Sequence, residues 1–214
     1  MAMWRVNVVH KCILAGFVAM LAGGSVTAYA ADAAFNPRVQ DLRPYYRTEG
    51  INLADYNAIL LGSLGVDDAR VVAPPWYEGE DRGPKKWKLT DTDIRFLQES
   101  YAAAMKEEVE SKGGYPLVTE SGDGVLMLDM EIIYLMPYAR KGEDVTVRGF
   151  GEILVQAQLR DGMTGELLAI YEGKQDVGSE YQPNTRLNAE NDLRALFSVW
   201  GGRMRTVMDA AHGR

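Results

Sequence analysis

The sequence predicts an α+β fold, in which a mainly antiparallel sheet of about five strands carries two helices packed on one face. Two observations support this prediction. Apolar and polar residues alternate over residues 125–136 and 145–159, which is the two-residue period of a strand. Over residues 90–112 and 188–211 the apolar residues recur at steps of three and four, which is the period of an amphipathic helix.

The first thirty residues have the three parts of a secretory signal peptide. A basic region precedes an apolar run at residues 12–21, and Ala28 and Ala30 are the small residues that a signal peptidase accepts. The run is shorter than the 20 or so residues of a spanning helix, and Cys12 stands at its front, whereas a lipid anchor needs a cysteine just after the run. We therefore expect cleavage after Ala30, a periplasmic or secreted location, and membrane contact only through the uncleaved signal peptide.

Residues 31–54 are expected to be a leader or linker, because two proline steps interrupt any regular element there. Residues 55–212 then form a single α+β domain, which is long enough for a substantial core. Within it, two short apolar runs at residues 56–61 and 69–73 are ended by turn residues and predict strands.

Residues 90–112 predict the first helix. Thr90 is placed to cap it, and Asp91 and Asp93 suit the positive end of the helix dipole. Its apolar face consists of Ile94, Leu97, Tyr101, Met105 and Val109. The glycine pair that begins at Gly113 is expected to end it.

Residues 125–136 predict a strand with one wholly apolar face. That face is formed by Leu126, Leu128, Met130, Ile132, Tyr134 and Met136. Residues 145–159 repeat the pattern, and Gly149 and Gly151 within them indicate a bend, a bulge or a closely packed helix. A turn at residues 161–165 and a returning run at 166–171 predict an antiparallel hairpin.

The second helix is predicted to begin at Asn188, which is a suitable cap. A wide apolar stripe that includes Phe197 and Trp200 follows. Gly201 and Gly202 lie inside the stripe, and they either break the helix or allow it to approach the sheet closely. We favour the close approach, because the stripe stays in phase across the two glycines.

Composition excludes several classes of function. Because residues 1–30 carry two basic and no acidic residues, the net charge falls from −7 to −9 on cleavage, and nucleic-acid binding is not expected. Cys12 and His10 leave with the signal peptide, so His212 is the one histidine that remains. Disulfides, thiolate nucleophiles and multi-histidine metal sites are therefore not expected, and we predict no metal and no cofactor.

Asp129 and Glu131 are candidate site residues, because they lie two apart on a predicted strand and therefore share a face. Such a pair can act as acid and base or can help to hold a calcium ion. The simpler interpretation, which we favour, is that both face water and pair across strands with Arg148 or Arg160.

The segment between Pro74 and Leu89 is a long polar loop that carries Trp76, Tyr77 and Trp87. Aromatic side chains in such a loop either pin it against the core or contact a partner. The acidic residues beside them also suit sugar binding. We favour pinning and keep all three residues as candidate binding residues.

Four landmarks follow one another along residues 50–210. They are a strand centred on Tyr56 after a tyrosine-rich leader, a helix around residues 96–105, a hairpin turn at 161–166, and the closing run Phe197-x-x-Trp200-x-x-x-Met204-Arg205-x-x-Met208-Asp209. Together they resemble a family of bacterial envelope proteins, the domain of unknown function numbered thirty-three thirteen. The resemblance implies an envelope location and a compact α/β domain, and it implies no activity. Many members of that family look like lipoproteins, whereas this chain lacks the lipid-anchoring cysteine.

The leading hypothesis is a non-enzymatic accessory or binding module of the bacterial envelope, whose partner is an envelope protein or a glycan. The alternative is a carboxylate-dependent hydrolase acting on glycans, with Asp129 and Glu131 as its acid and base. A hydrolase requires ionisable groups that converge in a cleft, whereas a binding module presents an exposed apolar surface.

Overall fold

The computed structural model describes residues 43–77 and 88–214. The strands in this part of the chain are β1 (Arg43–Arg47), β2 (Ala58–Leu61), β3 (Arg70–Val71), β4 (Leu117–Val118), β5 (Val125–Pro137), β6 (Thr146–Arg148), β7 (Gly151–Asp161), β8 (Leu167–Val177) and β9 (Tyr181–Pro183). The helices are α1 (Asp91–Met105), which a π-helical segment (Lys106–Lys112) continues, and α2 (Arg186–Ala211). A single turn of 3-10 helix (Leu53–Asp55) precedes β2.

The α+β class is confirmed, but the sheet is mixed and larger than predicted. Seven described strands form it in the order β1-β8-β7-β5-β2-β4, and β3 pairs with β5 beyond the end of β2. Strands β2 and β3 run parallel to β5, and β4 runs parallel to β2. The prediction of a mainly antiparallel, five-stranded sheet missed this because an alternation pattern does not show the direction of the neighbouring strand, and because β1 lies in the segment expected to be a leader.

A β-bulge in the middle of β5 changes which of its side chains face the core, and the face differs from the prediction. Ile132 lies opposite Val155 and Tyr134 lies opposite Leu154, so Ile133 is an extra residue without a partner on β7. The insertion turns Tyr134 away from the core, and its hydroxyl donates a hydrogen bond of 2.6 Å to Glu152. The predicted apolar face therefore ends at Ile132.

Glycines divide the long apolar segment after β5 into two strands. Gly149 has a φ of +68°, and a Cβ there would lie 2.5 Å from the carbonyl oxygen of Val177. Strand β6 before it pairs with β9 in a separate small sheet, while β7 after it belongs to the main sheet. The predicted hairpin is confirmed and is longer than expected, because β8 pairs with β7 as far as Val177.

Helix α1 begins as predicted. Thr90 accepts a hydrogen bond from the backbone N–H of Asp93, whose carboxylate accepts one from the Thr90 N–H, and the two form a capping box. The π-helical segment ends at Gly113, also as predicted. The buried side chains of α1, Leu97 and Tyr101 among them, pack into the core.

Helix α2 begins three residues earlier than predicted. Its cap is Thr185, whose hydroxyl accepts a hydrogen bond from the Asn188 N–H. The helix continues through Gly201 and Gly202, and a Cβ at Gly201 would lie 2.8 Å from the Cβ of Glu108. Gly201 therefore allows a close approach, but to the first helix and not to the sheet.

The core lies between the two helices and one face of the sheet. Its aromatic centre is Phe197, whose ring centroid is 6.0 Å from that of Tyr101 and 5.2 Å from that of Trp200. The predicted leader contributes to the sheet as well, since β1 pairs with β8 at one edge. In the described ranges, no helix combines the length and the apolar character needed to cross a membrane.

Candidate functional site

A cleft of about 430 Å³ opens where both helices begin, beside one end of the sheet. Its floor is apolar and includes Val71, Phe96, Leu97, Leu135, Phe150 and Leu193. Charged and polar side chains surround the mouth, among them Lys88, Asp93, Lys141, Arg186 and Glu190. Ligand pockets in proteins commonly measure about 300–1,000 Å³ and combine an apolar lining with a few polar groups. The cleft has both properties.

Elements far apart in sequence build this floor. Phe96 and Leu97 come from the first two turns of α1, and Leu193 comes from the second turn of α2. Leu135 comes from β5, beyond the bulge. Without the extra residue Ile133, the side-chain alternation would turn Leu135 away from the core. The bulge therefore helps to shape the cleft.

Both carboxylates at the mouth are held by basic side chains. The Lys141 ammonium group and the Thr90 hydroxyl each donate a hydrogen bond to Asp93. Burial alone would raise the pKa of Asp93, but these hydrogen bonds outweigh it, and the pKa lies below its usual range. The carboxylate of Glu190 forms two ion pairs: one oxygen lies 2.6 Å from Nε of Arg186, and the other lies 3.4 Å from Nη2 of Arg194.

Asp129 and Glu131 lie elsewhere, on the face of the sheet that the helices leave open. With Ser63, Gly65, Gln156 and Gln158 they line a shallow hollow of about 220 Å³. Asp129 is opposite Gln158 and Glu131 is opposite Gln156, so the expected cross-strand pairs with arginine are absent from the described residues.

The two arginines proposed as partners are engaged elsewhere. Arg160 donates to the side-chain oxygen of Gln158 at 3.0 Å, and Arg148 donates to the carbonyl of Ser179 at 3.3 Å. In the described part of the chain, no three acidic, histidine or cysteine side chains come together in a way that could hold a metal ion.

The aromatic loop is described only in part. Trp76 is 61% exposed, and its ring centroid lies 5.1 Å from that of Tyr138. Tyr77 is half-buried, and the guanidinium of Arg140 lies 4.9 Å above its ring. One aromatic residue is thus exposed while its neighbour is covered. Trp87 lies outside the described residues.

Sequence reasoning missed the cleft, because none of its floor residues forms a local motif. The sequence pattern that bears on the cleft is the helix cap at Thr90. It shows where α1 begins, and the start of α1 forms one side of the mouth. Phe150 and Leu193 were assigned only to an alternating segment and to a helix stripe, and nothing local brings such segments together.

Comparison with known proteins identifies distant structural similarities. None of the curated proteins is significantly similar to the chain in sequence. Protein XCC0632 from Xanthomonas campestris, of family DUF330, is 10% identical, with a TM-score of 0.40 over 73% of this chain and 88% of that chain.

Two other solved structures are similarly distant. The PelC dodecamer from Paraburkholderia phytofirmans is 12% identical, with a TM-score of 0.37 over 76% of this chain and 97% of that chain. A putative neuraminyllactose-binding hemagglutinin homolog from Helicobacter pylori is 9% identical, with a TM-score of 0.37 over 81% and 95%. Similarities at this level transfer no function.

A sequence-family model gives a clearer match to this chain than the solved structures do. A family model for proteins of unknown function, DUF3313, matches residues 36–204, which is most of the chain. The match includes all four landmarks except the last few residues of the closing run, and it confirms the family inferred from them. The chain therefore belongs to the DUF3313 family.

Proposed function

We propose that this chain is an exported, non-enzymatic binding module of the bacterial envelope that holds a small, largely apolar ligand in the cleft between α1 and α2. The observation that carries the proposal is the combination of a 430 Å³ volume, an apolar floor and a charged mouth. Burial of an apolar ligand on Phe96, Leu135 and Leu193 would supply the binding free energy. The export part of the proposal rests on the signal-peptide pattern of residues 1–30.

The charged groups at the mouth suit a binding role. Asp93 and Glu190 are already neutralised by Lys141, Arg186 and Arg194, so they favour orientation of a ligand over proton transfer. Rigid elements hold these groups, because Asp93 belongs to the capping box of α1 and Glu190 lies in the second turn of α2.

The test uses N-phenyl-1-naphthylamine, an uncharged fluorophore whose emission rises in an apolar environment. We expect saturable binding of one molecule per chain. Ala189 lines the cleft, and Ala189→Phe places a ring inside it, so this variant should bind the fluorophore at least about tenfold more weakly, a loss of about 1.4 kcal/mol.

Ala210→Phe is the matched control, because Ala210 is an exposed residue in the last turn of the same helix. It should bind like the wild type. Wild-type affinity in Ala189→Phe would place the fluorophore elsewhere and contradict the proposal. Absence of saturable binding to the unmodified protein would contradict it as well.

A second candidate function is a carboxylate-dependent glycan hydrolase, which one observation favours. Asp129 and Glu131 both line the 220 Å³ hollow, together with Gln156 and Gln158. This alternative predicts that the protein releases reducing ends from purified peptidoglycan. Asp129→Asn combined with Glu131→Gln should abolish that release without changing the denaturation midpoint. A wild-type protein that releases none contradicts it.

A further inference from the structure

Among the described residues, those at the mouth of the cleft carry more positive than negative charge, although the whole chain has 30 acidic and only 23 basic residues. Three cations, Lys88, Lys141 and Arg186, surround the mouth together with two carboxylates. Arg194 does not line the cleft but lies beside it, with its guanidinium 4.8 Å from the centre of the Phe96 ring. The charge at the mouth is therefore opposite in sign to that of the protein.

One cation at the mouth, Lys88, also has free binding capacity, whereas Lys141 and Arg186 are paired with the two carboxylates. Asp93 and Glu190 each accept hydrogen bonds from two side chains, as described above. Lys88, by contrast, is exposed and forms no ion pair with any residue that the structure describes. A negatively charged ligand group near Lys88 would meet an unpaired ammonium, whereas a positively charged group would have to displace an existing ion pair.

The floor and the mouth together define a class of ligand. From this charge complementarity we propose that the cleft binds an anionic amphiphile, with its hydrocarbon chain on Phe96, Leu135 and Leu193 and its negative head group at Lys88. This inference deepens the proposed function and rests on it. A fatty acid and an anionic phospholipid share this chemistry.

The experiment compares three ligands of one chain length by isothermal titration calorimetry, each below its solubility limit and the two ionic ligands below their critical micelle concentrations. They are decanoate, decan-1-ol and decyltrimethylammonium. We expect decanoate to bind at least about fivefold more tightly than decan-1-ol, and the cation to bind most weakly. Raising the salt concentration from about 0.05 to 0.5 M should weaken the binding of decanoate and leave that of decan-1-ol unchanged.

Lys88→Gln should weaken decanoate binding about three- to fivefold and leave decan-1-ol binding unchanged, as expected for loss of one solvent-exposed charge contact. Lys106→Gln is the matched control, because Lys106 is also an exposed lysine without a described ion pair but lies outside the cleft. Equal affinities for decanoate and decan-1-ol would overturn the inference, and so would equal effects of the two substitutions.

The two proposals fail in different ways. If N-phenyl-1-naphthylamine binds in the cleft and decanoate has no advantage over decan-1-ol, the binding module stands and the anionic ligand is wrong. If neither the fluorophore nor any decyl compound binds, both proposals are wrong. Dihexanoyl phosphatidylglycerol separates the two sources: affinity for decanoate alone supports a free fatty acid, and affinity for both supports a cleft that also accepts a phospholipid.

Discussion

Ile133 has no partner on the neighbouring strand, and this single residue changes which side chains the sheet presents to each side. Before it, Leu128 and Met130 face the core; after it, Leu135 does. Tyr134 is turned outward, where burial and its hydrogen bond to Glu152 raise the pKa of its hydroxyl. The aromatic residue that the alternation assigned to the core therefore belongs to the open face.

Asp161 organises the turn between β7 and β8. One carboxylate oxygen accepts hydrogen bonds from the Met163 N–H at 2.9 Å and from the Thr164 N–H at 2.7 Å. The other accepts a hydrogen bond of 2.9 Å from the Tyr56 hydroxyl. The hydrogen bonds from Thr164 contribute most to holding the pKa of Asp161 below its usual range. Burial and the bond to Asp161 raise the pKa of Tyr56 to about 12.

We predict that Asp161→Asn lowers the free energy of unfolding at pH 7 by about 1 kcal/mol, because the charge that strengthens these hydrogen bonds is lost. The folded pKa of Asp161 lies below that of the unfolded chain. Its stabilisation is therefore fully present above pH ~4 and disappears as the pH falls through the folded pKa. Urea denaturation at pH 7 and pH 3 should show the deficit of the variant shrinking in acid.

Asp123→Asn provides the control, since Asp123 is an exposed aspartate in another turn whose side chain forms no hydrogen bond within the described residues. It should change stability little at either pH. A deficit in Asp161→Asn that is equally large at pH 3 would show that the carboxylate charge is not responsible.

At the scale of elements, the contact between α1 and α2 depends on a glycine. A Cβ at Gly201 would lie 2.8 Å from the Cβ of Glu108 and 3.1 Å from the carbonyl oxygen of Ala104. Neither atom is the end of a flexible side chain, so a larger residue must push the helices apart. The floor of the cleft uses Phe96 and Leu193 from these same two helices, and their spacing therefore sets its width.

Gly201→Ala should destabilise the protein by about 1–3 kcal/mol through overpacking. Helix propensity acts in the opposite direction, because alanine is favoured over glycine by about 1 kcal/mol in a helix interior. Ala195→Gly, at an exposed position of α2, measures that intrinsic preference separately. Chemical denaturation of both variants tests the prediction, which is wrong if Gly201→Ala gains the stability that Ala195→Gly loses.

At the scale of the whole molecule, the sheet joins segments that are distant along the chain. Strand β5 pairs with β2 at its start and with β3 near its end, and with β7 along its opposite edge. The parallel pair β2–β4 spans the connection that contains α1, as expected for a crossover. The cleft lies at one end of this arrangement, where β3, β5 and the starts of both helices meet.

Export is a prediction about the whole chain. We expect N-terminal sequencing of protein purified from the envelope to give a mature chain that begins at Ala31. Ala30→Glu should block cleavage, because the peptidase accepts only a small residue there, and should leave the longer precursor attached to the membrane. A mature start before residue 25, or cleavage unaffected by Ala30→Glu, would contradict the prediction.

The sequence by itself determined the class of fold, the family, the cap at Thr90 and the paired strands β7 and β8, because each depends on local periodicity, turn residues or a short motif. It did not determine that β2 and β3 run parallel to β5, that Tyr134 faces outward, or that Gly201 contacts the first helix. These features depend on partners distant in sequence, since periodicity places a side chain on a face without saying which element covers it. The cleft is the clearest case: Phe96, Leu135 and Leu193 are ordinary apolar residues of their own elements, and only tertiary packing makes them one floor.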